Sequence, residues 1–196
     1  GAEDRNNFTC AALRSAMASF TEVERDCFAS FAMTEVAVYT DRVFSLLMTI
    51  ADFPAVDHPS VAILMGSDSD LPVMSKTFDI LSKEFAVPTE IRVISAHRNP
   101  DDLERYVKEA PGRGVKLFIC GAGMAAHLGG VVAAKTTLPV IGVPLSSKPF
   151  EGLDSLLAMF QMPKGVPVAT VAVDGAMNAG ILAAQILGLS APELAK

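Results

Sequence analysis

Short apolar runs alternate with longer amphipathic segments from residue 60 onward. The runs at 61–65, 91–94, 115–120, 139–143 and 168–173 are each short enough to be a strand buried on both faces. Apolar residues at helical spacing cover 71–85, 100–109, 125–135, 153–160 and 176–187. Strands that alternate with helices in this way predict a doubly wound parallel sheet with helices on both faces, a three-layer α/β/α fold.

Two of these helices have clear start signals. Asp70 precedes Leu71-Pro72, and Asn99 precedes Pro100. In both places a residue that favours the N-cap is followed by a proline that is tolerated in the first helical turn. We therefore expect both helices to begin directly after polar motifs.

Residues 1–57 have a different pattern. Their apolar residues recur at roughly helical spacing, which predicts two or three amphipathic helices ending before Asp52-Phe53-Pro54, with a linker through His58-Pro59. This part shows no catalytic constellation and is too small to bury much surface alone. We interpret 1–58 as a helical N-terminal extension of unknown role, with a poorly ordered leader as the alternative, and 59–196 as the catalytic domain.

Composition narrows the class of protein. The 196 residues carry a net charge of −6 and no basic run, so nothing indicates a nucleic-acid partner. No apolar stretch reaches the roughly 18 uninterrupted residues of a membrane span, and the first residues lack the pattern of a signal peptide. The three cysteines form no CxxC pair, which favours buried thiols over a disulfide framework or a zinc site. We expect a cytoplasmic protein without a metal centre.

Polar motifs follow the first three predicted strands. They are Gly66-Ser67-Asp68-Ser69-Asp70, then Ser95-Ala96-His97-Arg98, and then the small-residue loop 121–127, which ends in a second histidine. Parallel strands present their carboxyl ends at one edge of the sheet, where ligands of such folds bind. We therefore expect the three motifs to meet at one crevice.

The first two motifs have the chemistry of a phosphate and proton-transfer site. Unsatisfied amides and the dipole at a helix N-terminus favour a phosphate beside 66–69, while Asp70 suits ribose hydroxyls. Arg98 offers a guanidinium for bidentate phosphate recognition, and His97 is the residue type that most readily exchanges a proton near neutral pH. The structural alternatives are a Ser/Asp-rich N-cap without a ligand and a histidine that serves packing alone.

The third motif favours close approach of a planar ligand. Glycine and alanine side chains leave the backbone of 121–126 accessible. A dinucleotide fingerprint is not met, because Ala126 stands at its last glycine position and no acidic residue follows at the required distance, so nicotinamide is not expected. For His127 the alternative is a histidine on a helix face bonded to a neighbouring carbonyl.

Together with 138–144, 152–156 and 161–163, these motifs resemble the N5-carboxyaminoimidazole ribonucleotide mutase family, the bacterial PurE proteins. The likeness covers about residues 60–190 in the correct order. It implies a flavodoxin-like fold and a homo-oligomer, typically an octamer, with sites near subunit interfaces. It also implies isomerisation of N5-carboxyaminoimidazole ribonucleotide to 4-carboxyaminoimidazole ribonucleotide in purine biosynthesis, without ATP, metal or biotin.

The resemblance also implies roles for individual residues. His97 would protonate the nitrogen from which CO2 departs and later remove the C4 proton, while amides around Ala122 and Gly123, with His127, would hold the carboxylate or CO2. The ribose phosphate portion would lie against the first two motifs. The expected substrate-binding residues are Ser67, Ser69, Asp70, Ser95, Ala96, Arg98, Ala122, Gly123 and Leu128, and the expected catalytic residues are His97 and His127.

The chain departs from the family pattern in places, and other functions stay open. Met124 and Gly129 stand where the family commonly has Gly and Pro, which predicts a wider or more mobile loop, and 173–179 is shorter than usual. One alternative is an aminoimidazole ribonucleotide carboxylase that takes CO2 directly; segment 125–128 favours the mutase form. The other alternative is a non-catalytic nucleotide-binding module.

Overall fold

A computed structural model of the chain describes Phe53 and residues 56–191. The helices expected within 1–57 lie outside the described residues, as does the N-terminal extension apart from Phe53 and residues 56–58. The strands are β1 Val61–Met65, β2 Thr89–Val93, β3 Leu117–Gly123, β4 Val140–Leu145 and β5 Ala169–Thr170. The α-helices are α1 Leu71–Asp79, α2 Pro100–Glu109, α3 Leu128–Ala133, α4 Leu153–Phe160 and α5 Ala176–Gly188.

All strand pairings are parallel, in the order β2-β1-β3-β4-β5. From β1 the chain passes to β2 at one edge and then returns past β1 to β3, β4 and β5 toward the other edge, which is the flavodoxin-like winding. The expected fold class is therefore confirmed. Of the helices in the described part of the chain, none is long and apolar enough to cross a membrane.

Successive residues of β1 face opposite layers and divide the core in two. Ile63 and its alternate neighbours pack with α1 and α5, whereas Leu64 packs with α2, α3 and α4. All five residues of β1 are fully buried, so this strand is covered by helices on both faces, as its unbroken apolar run predicts.

The last strand differs from its expected form. The run 168–173 predicted a strand buried on both faces, but β5 is two residues long and Ala169 is exposed. It lies at the edge of the sheet and pairs only with β4 among the described strands. The periodicity therefore overstated the length of this strand, since only Ala169 and Thr170 pair with β4.

Helix starts were predicted more accurately than helix ends. The helices α1 and α2 begin at Leu71 and Pro100 as expected, although neither Asp70 nor Asn99 makes a side-chain cap hydrogen bond. The segment expected to be one helix over 71–85 changes to a π-helical turn at Ile80–Glu84. The helix expected over 125–135 occupies only 128–133, because 124–127 turns before entering it.

The one cysteine in the described residues has the expected role. Cys120 lies in β3 and is fully buried, and burial raises the pKa of its thiol well above the ordinary value. A thiol in this environment acts as a small apolar core residue. Cys10 and Cys27 lie outside the described residues.

Candidate functional site

The three polar motifs meet at the carboxyl edge of the sheet. A cleft of about 640 Å³ opens there between the loops that follow β1, β2, β3 and β4. Its lining residues are Gly66, Ser67, Ser69, Asp70, Ser95, Ala96, His97, Arg98, Ala122, Gly123, Met124, Ala125, Leu128, Leu145, Ser146 and Ser147. Every expected site residue except His127 is among them.

The loop after β1 is held by its own side chains. Ser67 caps a 3₁₀ turn at Asp68–Asp70 and accepts hydrogen bonds from the Ser69 amide at 3.3 Å and the Ser69 hydroxyl at 2.8 Å. The Asp68 carboxylate accepts from the Ser67 hydroxyl and the Ser69 amide, both at 3.0 Å. The capping alternative is thus present in part, and it also fixes two hydroxyls at the cleft.

Asp70 is the carboxylate of this loop that lines the cleft. Partial burial raises the pKa of its carboxyl, while the backbone amides of Ser67 and Gly66 and the charge of Arg98 work in the opposite direction. A carboxylate in this environment has lost part of its hydration shell. It is therefore suited to accept hydrogen bonds from ligand hydroxyls.

Arg98 joins the loops of β1 and β2. Its guanidinium donates to the Gly66 carbonyl, and its backbone amide donates to the buried Ser95 hydroxyl at 3.2 Å. Arg98 is exposed and lines the cleft together with Ser67 and Ser69 of the serine-rich turn. A fixed, exposed guanidinium next to hydroxyls suits an anionic ligand.

The two motif histidines form a contact pair. His97 Nε2 lies 2.9 Å from His127 Nδ1, and the rings meet edge to face with centroids 5.1 Å apart. One of these two nitrogens carries the hydrogen and the other accepts it. His127 stands at the N-cap position of α3 and stays outside the lining, so it reaches the site through His97. The structural alternative, a hydrogen bond from the His127 imidazole to a neighbouring carbonyl, is not formed among the described residues; only the His127 backbone amide bonds to the Ala125 carbonyl.

The loop after β3 supplies backbone and small side chains. Ala122 and Gly123 end the strand at the cleft, and Leu128 is buried beneath it. Met124 has a left-handed backbone with φ of 54°, and the residue is 61% exposed at the cleft. Gly129 is buried in α3 and faces Val168 and Cys120, so it belongs to the core behind the loop.

The sequence reasoning missed the contribution of β4. Leu145, Ser146 and Ser147 line the cleft, and Asp174, which follows β5, accepts hydrogen bonds from the Ser146 amide and hydroxyl. The signal was present, because Ser146-Ser147 follows an apolar strand as the other motifs do. Because parallel strands present their carboxyl ends at one edge of the sheet, the same reasoning applied to β4 predicts Ser146 and Ser147 as site residues.

Comparison with known proteins places the chain in a family. Residues 60–196 match the family model described as AIR carboxylase. The N5-carboxyaminoimidazole ribonucleotide mutase of Pyrococcus horikoshii is 57% identical over 138 residues, 70% of this chain and 77% of that protein. A phosphoribosylaminoimidazole carboxylase of Candida glabrata is 51% identical over 150 residues, 76% of this chain but 26% of that longer protein.

Solved structures agree with this placement. PurE of Treponema denticola superposes with a TM-score of 0.64 at 34% identity, covering 70% of this chain and 85% of that one. The chain belongs to the AIR carboxylase family.

Proposed function

We propose that the protein is an N5-carboxyaminoimidazole ribonucleotide mutase, an isomerase of purine biosynthesis. The observation that carries the proposal is the placement of His97. It lines the same cleft as Arg98 and Asp70, with its Nε2 2.9 Å from His127 Nδ1. A proton carrier thus stands beside groups that suit a sugar phosphate, and the relatives that carry the mutase name support the assignment.

The loops of β1 and β2 bind the ribose phosphate in this proposal. Arg98 and the hydroxyls of Ser67 and Ser69 contact the phosphate, while Asp70 accepts from the ribose hydroxyls. The buried Ser95 hydroxyl holds the Arg98 backbone at 3.2 Å, so it acts by positioning the loop. Fixing the phosphoribosyl end leaves the imidazole to extend toward His97 and β3.

His97 carries the proton in both halves of the reaction. The bond between N5 and the carboxyl carbon breaks, its electron pair stays on nitrogen, and His97 protonates that nitrogen as CO2 forms. C4 then attacks the CO2 carbon, and His97 removes the C4 proton, so the enzyme regains the proton it gave. His127 supports the ring through the Nε2 to Nδ1 contact.

Retention of CO2 falls to the β3 side of the cleft. Ala122 and Leu128, with Ala96 from the loop after β2, give this part of the wall an apolar surface, and the amides near Gly123 can bind the carboxylate oxygens. An apolar wall keeps water from the intermediate and holds CO2 close to C4. The reaction needs this because free CO2 would be lost to solvent.

We also propose a homo-octamer, a cytoplasmic location and a catalytic domain over 59–196. The family match from residue 60 supports the domain boundary. Apolar side chains exposed on α4, namely Leu153, Leu157 and Phe160, are consistent with subunit contacts. The helical extension over 1–58 remains a prediction from periodicity.

Isotope tracing tests the reaction. Substrate labelled in the N5 carboxyl group is converted in the presence of carbonic anhydrase and unlabelled bicarbonate. A mutase gives product that keeps most of the label, and it reacts slowly when given aminoimidazole ribonucleotide with bicarbonate instead. Rapid carboxylation of aminoimidazole ribonucleotide would assign the direct carboxylase activity that the name of the Candida glabrata relative carries.

A further inference from the structure

Asp174, which follows β5, is hydrogen-bonded to the segment that leaves β4 and lines the cleft. The Asp174 carboxylate accepts from the Ser146 amide at 2.9 Å and from the Ser146 hydroxyl at 2.6 Å. The Asp174 amide in turn donates to the Pro144 carbonyl at 2.8 Å. Three bonds from one residue therefore fix the course of the chain as it leaves β4.

Asp174 holds a backbone conformation that disfavours most side chains. Its φ is 56°, in the left-handed region, where aspartate is tolerated better than most residues but still at a cost. Strain of this kind persists where surrounding contacts determine it, and it occurs often at functional sites. The three hydrogen bonds of Asp174 supply those contacts, and Ser146, which makes two of them, lines the cleft.

Ser147 follows Ser146 in the chain, and its hydroxyl group makes no hydrogen bond to the described residues. The hydroxyl oxygen is buried and has no hydrogen-bond partner among the described residues, although Ser147 lines the cleft. A buried polar atom left without a partner costs free energy, so such an atom calls for an explanation. A ligand in the cleft would satisfy it once the side chain rotates to another staggered rotamer that faces the cleft.

The sheet order places the Ser147 hydroxyl away from Arg98 and the other protein groups proposed to bind the phosphate. Along the carboxyl edge, the loops run from β2 with Arg98, through β1 with Asp70 and β3 with Gly123, to β4 with Ser147. A side chain at Gly123 would place its Cβ 3.7 Å from the Ser147 hydroxyl oxygen. Ser147 is thus a neighbour of the Gly123 backbone, on the side assigned to the carboxyl group.

We propose that Ser147 is a further substrate-binding residue that donates a hydrogen bond to the migrating carboxyl group, and that Asp174 is a positioning residue that presents it through Ser146. The proposal rests on the proposed function, since it names the contact made by the group that moves. A hydroxyl donor to a carboxylate is a charge-assisted bond, so its loss is measurable.

Paired ligands test the contact in the full-length protein. Titration calorimetry measures the Kd of aminoimidazole ribonucleotide, which lacks the carboxyl group, and of 4-carboxyaminoimidazole ribonucleotide, which has it. Ser147→Ala should weaken binding of the carboxylated ligand roughly tenfold and change the Kd of the other less than twofold. Equal changes for both ligands, or none for either, would overturn the assignment of Ser147.

Asp174→Gly tests the positioning role. Glycine accepts the left-handed backbone, so this variant removes the carboxylate without adding strain. The Kd of the carboxylated ligand should again rise, and adding Ser147→Ala in the Asp174→Gly background should change it less than threefold further. If the two substitutions multiply in full, Asp174 does not act through Ser147.

Matched controls lie away from the cleft. Ser82→Ala removes a hydroxyl that donates to the Phe78 carbonyl at 2.6 Å, and Ala86→Gly relieves another left-handed residue, with φ of 53°. Both should leave the two Kd values unchanged. If the unmodified protein binds both ribonucleotides without isomerising the substrate, the proposed function fails while the difference between the ligands still tests Ser147.

Discussion

The cleft has two halves that are built from different kinds of contact. The polar half comprises loops 66–70 and 95–98, where the serine hydroxyls and the Asp68 carboxylate bond to groups within a few residues, and the Arg98 guanidinium links the two loops. The backbone half comprises 121–127 and 145–147, where small residues form the wall and Asp174 supplies the distant support. The polar half can therefore be recognised from short motifs, whereas the backbone half depends on the complete fold.

Substitutions in the two halves should therefore have different effects on activity and on stability. A change in the polar half removes a chemical group from a loop that its neighbours still hold. A change in the backbone half disturbs packing, because β3 and β4 lie between two buried layers. Variants of the first kind should lose activity while folding well, whereas substitutions that add atoms to the packed strand ends of the second half should lose stability.

The largest expected effect is the loss of the proton carrier. His97→Asn should reduce kcat about 10²- to 10⁴-fold, the range typical of general acid–base catalysis, with the Kd of aminoimidazole ribonucleotide changed little. Stopped assays that follow product formation, together with calorimetry, measure both quantities. His58→Asn is the matched control, because His58 lies outside the cleft and contacts the Arg113 carbonyl. A protein that binds but does not turn over even with His97 intact would favour the non-catalytic module.

A packing change in the backbone half should cost stability. A Cβ at Gly121 would lie 2.4 Å from the sulfur of Met74, which is fully buried and has little room to move. Gly121→Ala should therefore lower the free energy of unfolding by about 1–3 kcal/mol. Urea titrations compare it with Gly66→Ala in the polar half, where a Cβ meets nothing within 4 Å. Equal losses for the two variants would contradict the proposed division.

Phosphate recognition should tolerate a lysine poorly. Arg98→Lys keeps the charge but loses the planar group that reaches the Gly66 carbonyl and a ligand together. We expect KM to rise roughly tenfold, with a smaller change in kcat. Arg105→Lys on α2 is the control, since Arg105 pairs with Asp102 away from the cleft. An unchanged KM in the Arg98 variant would remove Arg98 from the phosphate site.

The smallest expected effect concerns the pH dependence of stability. Because burial raises the pKa of Asp70 above its ordinary value of 3.8, ionisation of this carboxyl weakens the folded state. Its relative stabilisation is complete below pH 3.8 and is lost as the pH rises through the folded pKa. Asp70→Asn should thus be more stable at neutral pH by at most a few tenths of a kcal/mol, given solvent screening, while losing activity.

Urea midpoints across the acid range check this sign. The advantage of Asp70→Asn over the unmodified protein should shrink as the pH falls and should vanish once the carboxyl is protonated in both states. A variant that is less stable at neutral pH would mean that the bonds from the Ser67 and Gly66 amides outweigh burial.

Local patterns accounted for most of the fold. The run 61–65 coincides with β1, and the helices at Pro100–Glu109 and Leu153–Phe160 begin and end where apolar spacing and proline placed them. The π-helical turn Ile80–Glu84 was not predictable, because its apolar spacing also fits an α-helix. The length of β5 was overstated, because only Ala169 and Thr170 pair with β4 and apolar spacing does not encode where a strand ladder ends.

The candidate site also contains some residues that local sequence patterns predict and others that depend on the complete fold. Motifs that carry His97, Arg98 and Asp70 could be recognised because each follows a strand end in the sequence. The contact between His97 and His127 required knowledge of where β2 and α3 lie in space. The bond from Ser146 to Asp174 spans 28 residues and joins two loops, so no short motif contains it.

The position of Asp174 near the end of the described domain has a consequence for biosynthesis. The loops at 66–70, 95–98 and 121–127 are synthesised well before Asp174, which accepts the hydrogen bonds from Ser146. A nascent chain that has emerged only as far as β4 holds most of the polar groups but lacks the last support of the wall. The ribosome must therefore release nearly the whole domain before the cleft reaches its final shape.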